Sequence, residues 1–166
     1  MASFENKFDS SRQDWTTPQW LFDHLDFLYQ YEFDLAADSE NAKCKRFFSE
    51  QEDALSQDWT YLGRCWLNPP YGGNGKNSLK RWVQKAYESA KWPTCHISML
   101  MPARTNTVWW HDYCMKARMI WLIKGRPKFG DAKYGLPQPL AVVMFSGLTY
   151  SYPMVRSLYR GGFNNA

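Results

Sequence analysis

No apolar run in the chain reaches the ~18 residues that a membrane-crossing helix needs, and the opening residues Met1 to Asn6 lack the apolar stretch of a secretion signal. A membrane partner is therefore not expected, and a cytoplasmic location is. The four cysteines, Cys44, Cys65, Cys95 and Cys114, form no Cys-x-x-Cys pair, and His24, His96 and His111 fall at no metal-ligand spacing. Reduced thiols are expected rather than a disulfide framework, and no metal site. Charge of one sign is also scarce. Twenty Lys and Arg against 16 Asp and Glu leave only +4, which permits a polyanionic partner without demanding one. No internal repeat occurs.

What the chain has in abundance is rings: 9 Trp, 10 Tyr and 10 Phe in 166 residues. A core must take part of them, and the rest offer flat surfaces for stacking. The length suits a single domain. Residues 1–13 carry no period and read as a loose leader, 14–150 as the domain, and 151–166 as a polar tail.

Thr17-Pro18 is a helix start, with Thr17 as cap and Pro18 in the first turn. Apolar residues then recur at helical spacing through Tyr29. Tyr31 to Ala37 reads as a short strand and Arg46 to Phe48 as another, with a loop or turn at Gln51 to Leu55. The strand Arg64 to Leu67 is stopped by two prolines. Ser78 caps a helix running to about Lys91, and Cys95 to Met101 is a buried strand. Asn106 to Ala117 looks helical. Arg118 to Ile123 and Leu140 to Phe145 are strands, the latter the last clear one, with a Gly/Pro-rich loop over 124–138 between them. Apolar strands separated by helices predict an α/β fold, its sheet mostly parallel with helices on both faces. Ligands of such sheets bind beyond the carboxyl ends of the strands.

Asn68-Pro69-Pro70-Tyr71 falls at such an end. The prolines stiffen the backbone and fix the carbonyls. The Asn68 side-chain oxygen and the Pro69 carbonyl are two convergent acceptors, suited to an –NH2 group. Tyr71 offers a ring for a planar heterocycle, worth about 1–3 kcal/mol per base. No nucleophile is present. The group can hold an amine and stabilise charge developing on it, which fits direct transfer of an activated group.

With this motif in place, the chain resembles the phage-type DNA adenine-N6 methyltransferases, the Dam family of phages and prophages. The resemblance spans roughly residues 14 to 146. It is carried by Asp14-Trp15-Thr16-Thr17-Pro18, Phe33 to Ala37, Asn41 to Cys44, Asp53-Ala54-Leu55 with Asp58-Trp59, Trp66 to Gly72, Met101 to Thr107, and Gly125 to Phe129. It implies an abbreviated Rossmann-like methyltransferase fold with S-adenosylmethionine at the strand ends. Thr17 and Pro18 would lie near the methionine end of that cofactor. Asp34, Ala36, Ala37 and Asp38 would follow the first cofactor strand, Asp34 or Asp38 meeting the amino group or ribose. Asp53 would accept from the cofactor adenine, and Asn68 to Tyr71 would bind a target adenine flipped from duplex DNA. A phage-encoded enzyme would act in the host cytoplasm. The usual Gly-x-Gly after the first strand is replaced by Ala36-Ala37-Asp38, and only 30 residues separate Ala37 from Asn68.

DNA contacts are expected from Lys76 and Lys80, from Arg104, and from Arg126, Lys128 and Lys133, basic residues set among Gly, Pro and aromatics. Trp109, Trp110 and His111 read as helix core, rim and a satisfied histidine. Two alternatives stay open: the same chemistry on an RNA base or a protein glutamine, and a catalytically silent DNA-binding protein on the same scaffold.

Overall fold

In a computed structural model of the chain, the described residues are 16–72, 75, 78–130, 135–147 and 153–163, the side chains of the last two excepted. Eight strands form one sheet in the order β2-β1-β3-β4-β6-β5-β7-β8. They are β1 (Phe33–Asp34), β2 (Arg46–Phe47), β3 (Arg64–Leu67), β4 (His96–Pro102), β5 (Met119–Ile123), β6 (Leu140–Ser146), β7 (Met154–Tyr159) and β8 (Gly162–Phe163). Four of the seven pairings are parallel. β6 runs antiparallel between β4 and β5, and β8 antiparallel to β7. The carboxyl ends of β1, β2, β3, β4, β5 and β7 therefore share one edge.

Alternation along the strands sorts the core into two layers. Cys65, Leu67, Ile97, Met99, Ile120 and Val143 face α2 (Leu79–Ser89) and α3 (Val108–Asp112). Trp66, Leu100, Trp121, Val142 and Leu158 face α1 (Gln19–Tyr29), which inserts Leu21, Phe22 and Leu25. Each of those three side chains is almost wholly buried, stabilising the layer by about 1.5–3 kcal/mol apiece. Helices thus cover both faces, as the apolar strands predict.

Four elements differ from the sequence reading. The first strand is only two residues long, because after Asp34 the chain leaves the ladder; Leu35 N–H still reaches Trp66 O at 2.9 Å. Pro18, not Thr17, is the N-cap of α1, and Thr17 is buried without a capping bond. The helix expected over Asn106 to Ala117 divides into α3 and a 3-10 turn at Cys114–Lys116. The supposed polar tail instead supplies β7 and β8. β7 pairs in parallel with β5 along five residues, although most of its side chains are exposed.

Candidate active site

β3 ends at Leu67 because Pro69 and Pro70 have no N–H to continue the ladder. The chain turns there with Pro69 buried and Asn68, Pro70 and Tyr71 half-buried. The Tyr71 ring packs against both core layers, where they meet at the sheet edge. Its hydroxyl donates to Asn68 Oδ1 at 2.8 Å. Burial pushes the phenol well above its ordinary pKa, so it stays a neutral donor.

Beside this corner lies a cleft of about 520 Å³, within the usual range for a small-molecule site. The exit of β1 contributes Ala36, Ala37 and Asp38, the exit of β2 contributes Phe48, Ser49 and Glu50, and the corner contributes Asn68, Pro70 and Gly72. Gln51, Asp53 and Ala54 come from two 3-10 turns, and Trp82 from α2. Among the described residues its acids are Asp38, Glu50 and Asp53, and none of the described Lys or Arg lines it. The chemistry of this lining suits a cation with a planar, apolar portion.

The exit of β1 is held by a carboxylate. Asp34 is 3% exposed; its Oδ1 accepts from Ala36 N–H at 3.3 Å and its Oδ2 from Lys43 N–H at 3.0 Å. Burial raises its pKa to about 6 against the pull of those two N–H groups and the Lys43 charge. Asp34 thus ties down the loop in which a Gly-x-Gly is absent, and its carboxylate does not line the cleft. Asp38 closes a smaller turn, accepting from the backbone N–H of Glu40 and Asn41 and from the Asn41 side chain.

The opposite wall is braced from below. Ser49 and Glu52 form a reciprocal capping box. Lys85 Nζ donates to the carbonyls of Leu55 and Gln57, and the buried Trp59 Nε1 donates to Ala54 O. Between them Asp53 adopts φ 46°, ψ 76°, a left-handed conformation that Asp tolerates better than most residues.

The remaining sequence candidates lie elsewhere. Thr17 and Pro18 are buried at the start of α1 and do not line the cleft. Next to them, Gly130 N–H donates to Thr16 O, which fixes the loop after β5. In that loop Pro127 and Phe129 are buried while Arg126 and Lys128 point out. Lys80 and Arg104 are also exposed. Lys76 and Lys133 lie outside the described residues. Trp110 is buried, Trp109 packs beside it, and His111 Nε2 meets Thr105 O at 2.9 Å. Among the described residues no group of His, Cys, Asp and Glu is set to hold a metal. All four cysteines are unbridged, and burial pushes the Cys44 and Cys95 thiols up to about 12.

Phe48, Ser49, Glu50, Gln51 and Trp82 line the cleft without having been singled out as site residues, and Asn41, which carries part of the resemblance, lines it too. For Glu50 the signal was its place just beyond β2, where an acid commonly meets a ribose. A second overlooked signal is the charge partition. Residues 1–63 carry 13 acidic and 5 basic residues, whereas residues 64–166 carry 3 and 15. The mild net charge conceals two oppositely charged halves.

The sequence profile of the DNA N-6-adenine-methyltransferase (Dam) family matches residues 5–139. The chain is similar to the DNA N-6-adenine-methyltransferase of Escherichia phage T1, 33% identical over 119 residues, which are 70% of this chain and 48% of that protein. It is also similar to that of Haemophilus phage HP1 (strain HP1c1), 31% identical over 119 residues, 70% of this chain and 64% of that protein. The matched stretch therefore spans about half to two-thirds of each relative.

Proposed function

The chain belongs to the DNA N-6-adenine-methyltransferase (Dam) family, and from that membership we propose that it methylates the exocyclic amine of adenine in DNA, with S-adenosylmethionine as donor. The observation that carries this reading is a cleft that opens directly onto Asn68 and Pro70 and whose charged lining, among the described residues, is Asp38, Glu50 and Asp53. S-adenosylmethionine would supply there a methyl group activated on a positively charged sulfur. Carboxylates at a half-enclosed site favour such a cation. Phe48 and Trp82 offer apolar walls for its adenine, Asp53 an acceptor for its ring amine, Glu50 an acceptor for its ribose hydroxyls, and Asp38 an acceptor for its amino group.

Asn68 Oδ1 and the Pro69 carbonyl would take the two hydrogens of the target amine and stabilise the positive charge that develops on it. In a duplex that amine is paired, so the base must first leave the stack. Tyr71 would stack on it, after its hydroxyl gives way at Asn68 to the incoming amine. Exposed Lys80, Arg104, Arg126 and Lys128 would hold phosphates.

The test is transfer of label from S-adenosylmethionine to long duplex DNA. Label on adenine that disappears in Asn68→Ala, with the variant still folded, is expected; no adenine label across varied duplexes would overturn the reading. Parallel acceptors of RNA and protein check the alternative substrates. Calorimetry with S-adenosylmethionine alone separates an enzyme from a silent DNA-binding module, which would give no specific heat.

A further inference from the structure

The β7–β8 hairpin lies beyond residue 139, where the family profile's match ends. Its tip is the two-residue turn Arg160-Gly161, closed by the pairing of Tyr159 with Gly162. The Tyr159 ring lies so close to Gly161 that a Cβ there would fall 2.6 Å from ring carbon Cε2. Because β7 is parallel to β5, this tip emerges at the same edge as Asn68, and Lys124 N–H donates to Leu158 O at 2.8 Å. Ile123 pairs with Leu158, so Lys124 lies one residue past that pair and Arg160 two, and both are exposed. The ion pairs among the described residues are Arg64–Glu32 and Lys91–Glu88, so neither cation is in one. No Asp or Glu occurs anywhere after Asp131.

We infer that the tip of the β7–β8 hairpin, through Arg160 together with Lys124, grips the phosphate backbone of the DNA flanking the target adenine, on one side of it only. The inference rests on the methyltransferase reading for the position of that adenine at Asn68. From β3 to β7 is four strand spacings, or roughly 19 Å at about 4.8 Å each. At about 3.4 Å per step along a strand, the tip meets a phosphate about five or six base pairs from the flipped base. On the other side of β3 the edge is the acid-lined cleft, which repels phosphates. Among the described residues grip is thus available in one direction.

Two measurements test this, and neither depends on the other. In the first, duplex binding is followed by anisotropy across a salt series for the wild type, Arg160→Gln and Arg156→Gln. Arg156 carries the same charge in mid-strand, opposite Trp121, and serves as the control. Arg160→Gln is expected to weaken binding about fivefold to tenfold at low salt and to reduce the slope of log affinity against log salt by about 1. Arg156→Gln should change either value much less. In the second, the methylated site is mapped, and duplexes are shortened to a few base pairs on one flank or the other. Shortening one flank should lower kcat/KM as much as Arg160→Gln does, with no further loss when the two are combined. Shortening the other flank should add to the effect of Arg160→Gln. Binding by Arg160→Gln equal to wild type, or equal sensitivity to both flanks, overturns the inference even where adenine methylation is intact. Absence of adenine methylation with a loss of binding confined to Arg160→Gln would sink the enzyme reading and leave the phosphate grip standing.

Discussion

The exits of β1 and β2 and the exits of β4, β5 and β7 open on one edge of one sheet, yet their charges are opposite. On the first side Asp38, Glu50 and Asp53 border a cleft that none of the described Lys or Arg lines, with Asp34 buried at the exit of β1. On the second, Arg104, Lys124, Arg126, Lys128 and Arg160 are all exposed. Between them stands the neutral corner Asn68 to Tyr71. Under the proposed function, the contrast would let a small domain hold a cationic donor and a polyanionic acceptor next to each other. Each surface disfavours the wrong ligand, and at physiological salt a Debye length of about 8 Å keeps the two fields local. A net charge of +4 describes neither side.

If the corner is where the two ligands meet, Asn68→Ala should have the largest effect and touch neither flank. It removes one of two acceptors from the amine, which should lower kcat by about two to three orders of magnitude, by analogy with the loss of one preorganised hydrogen-bonding partner. Cofactor binding by calorimetry and duplex binding by anisotropy should both stay within a few-fold of wild type. A variant that loses either would mean that the corner also builds that side.

The acidic side contains one carboxylate that the fold itself holds at a cost. Asp34 has a folded pKa of about 6 against an ordinary 3.8. A raised carboxylate pKa means the folded chain binds its proton more tightly than the unfolded chain. The stability it contributes is complete below about pH 4, falls as pH rises to about 6, and stays lost above, on the order of 2–3 kcal/mol. Asp34→Asn should abolish that fall, while one of the N–H groups of Ala36 and Lys43 loses its acceptor and lowers stability at all pH values. Urea midpoints for both proteins from pH 4 to 8 check it. A parallel decline in the variant would show that other groups produce the fall.

Much of this division was readable in advance, and the reasons for the rest are specific. β3 and its stop were plain from four apolar residues running into two prolines, and Leu140 to Phe145 from an unbroken apolar run buried on both faces. The corner was legible because Asn-Pro-Pro-Tyr has few other uses at a strand end. The hairpin was not. Met154, Val155, Arg156 and Ser157 are all exposed, so no alternation marks the strand, and only pairing with β5 makes it one. The resemblance casts Asp34 as a cofactor ligand from its place alone. That its two oxygens are spent on Ala36 and Lys43 depends on a loop path that no local pattern encodes. The acidic and basic halves were countable but vanished in the sum.

Asp53 offers a cleaner test of the acidic side than Asp34, since its carboxylate borders the cleft. Asn tolerates the left-handed backbone at this position about as well as Asp, so Asp53→Asn removes the charge without adding strain. Loss of one charge-assisted partner should weaken S-adenosylmethionine binding by roughly tenfold, with the salt slope of duplex binding unchanged. A shift in that slope would break the comparison, because it would place phosphate near the acids.

The smallest effect belongs to Tyr71→Phe, and it bears on the boundary itself. The ring remains, so stacking on the base, worth about 1–3 kcal/mol, is retained. What is lost is the hydroxyl's hydrogen bond to Asn68 Oδ1. In the proposed reaction that bond holds, before DNA arrives, the acceptor that the amine would use, so its removal should ease entry of the base and lower KM for DNA by a few-fold. It also orients Asn68, so kcat should fall by a similar few-fold, at about 1 kcal/mol for an ordinary hydrogen bond. The opposed movement of KM and kcat, with kcat/KM nearly constant, is the signature to measure. A Tyr71→Phe enzyme whose KM rises instead would mean that the hydroxyl binds substrate directly, and that the corner as seen without DNA is already in its working form.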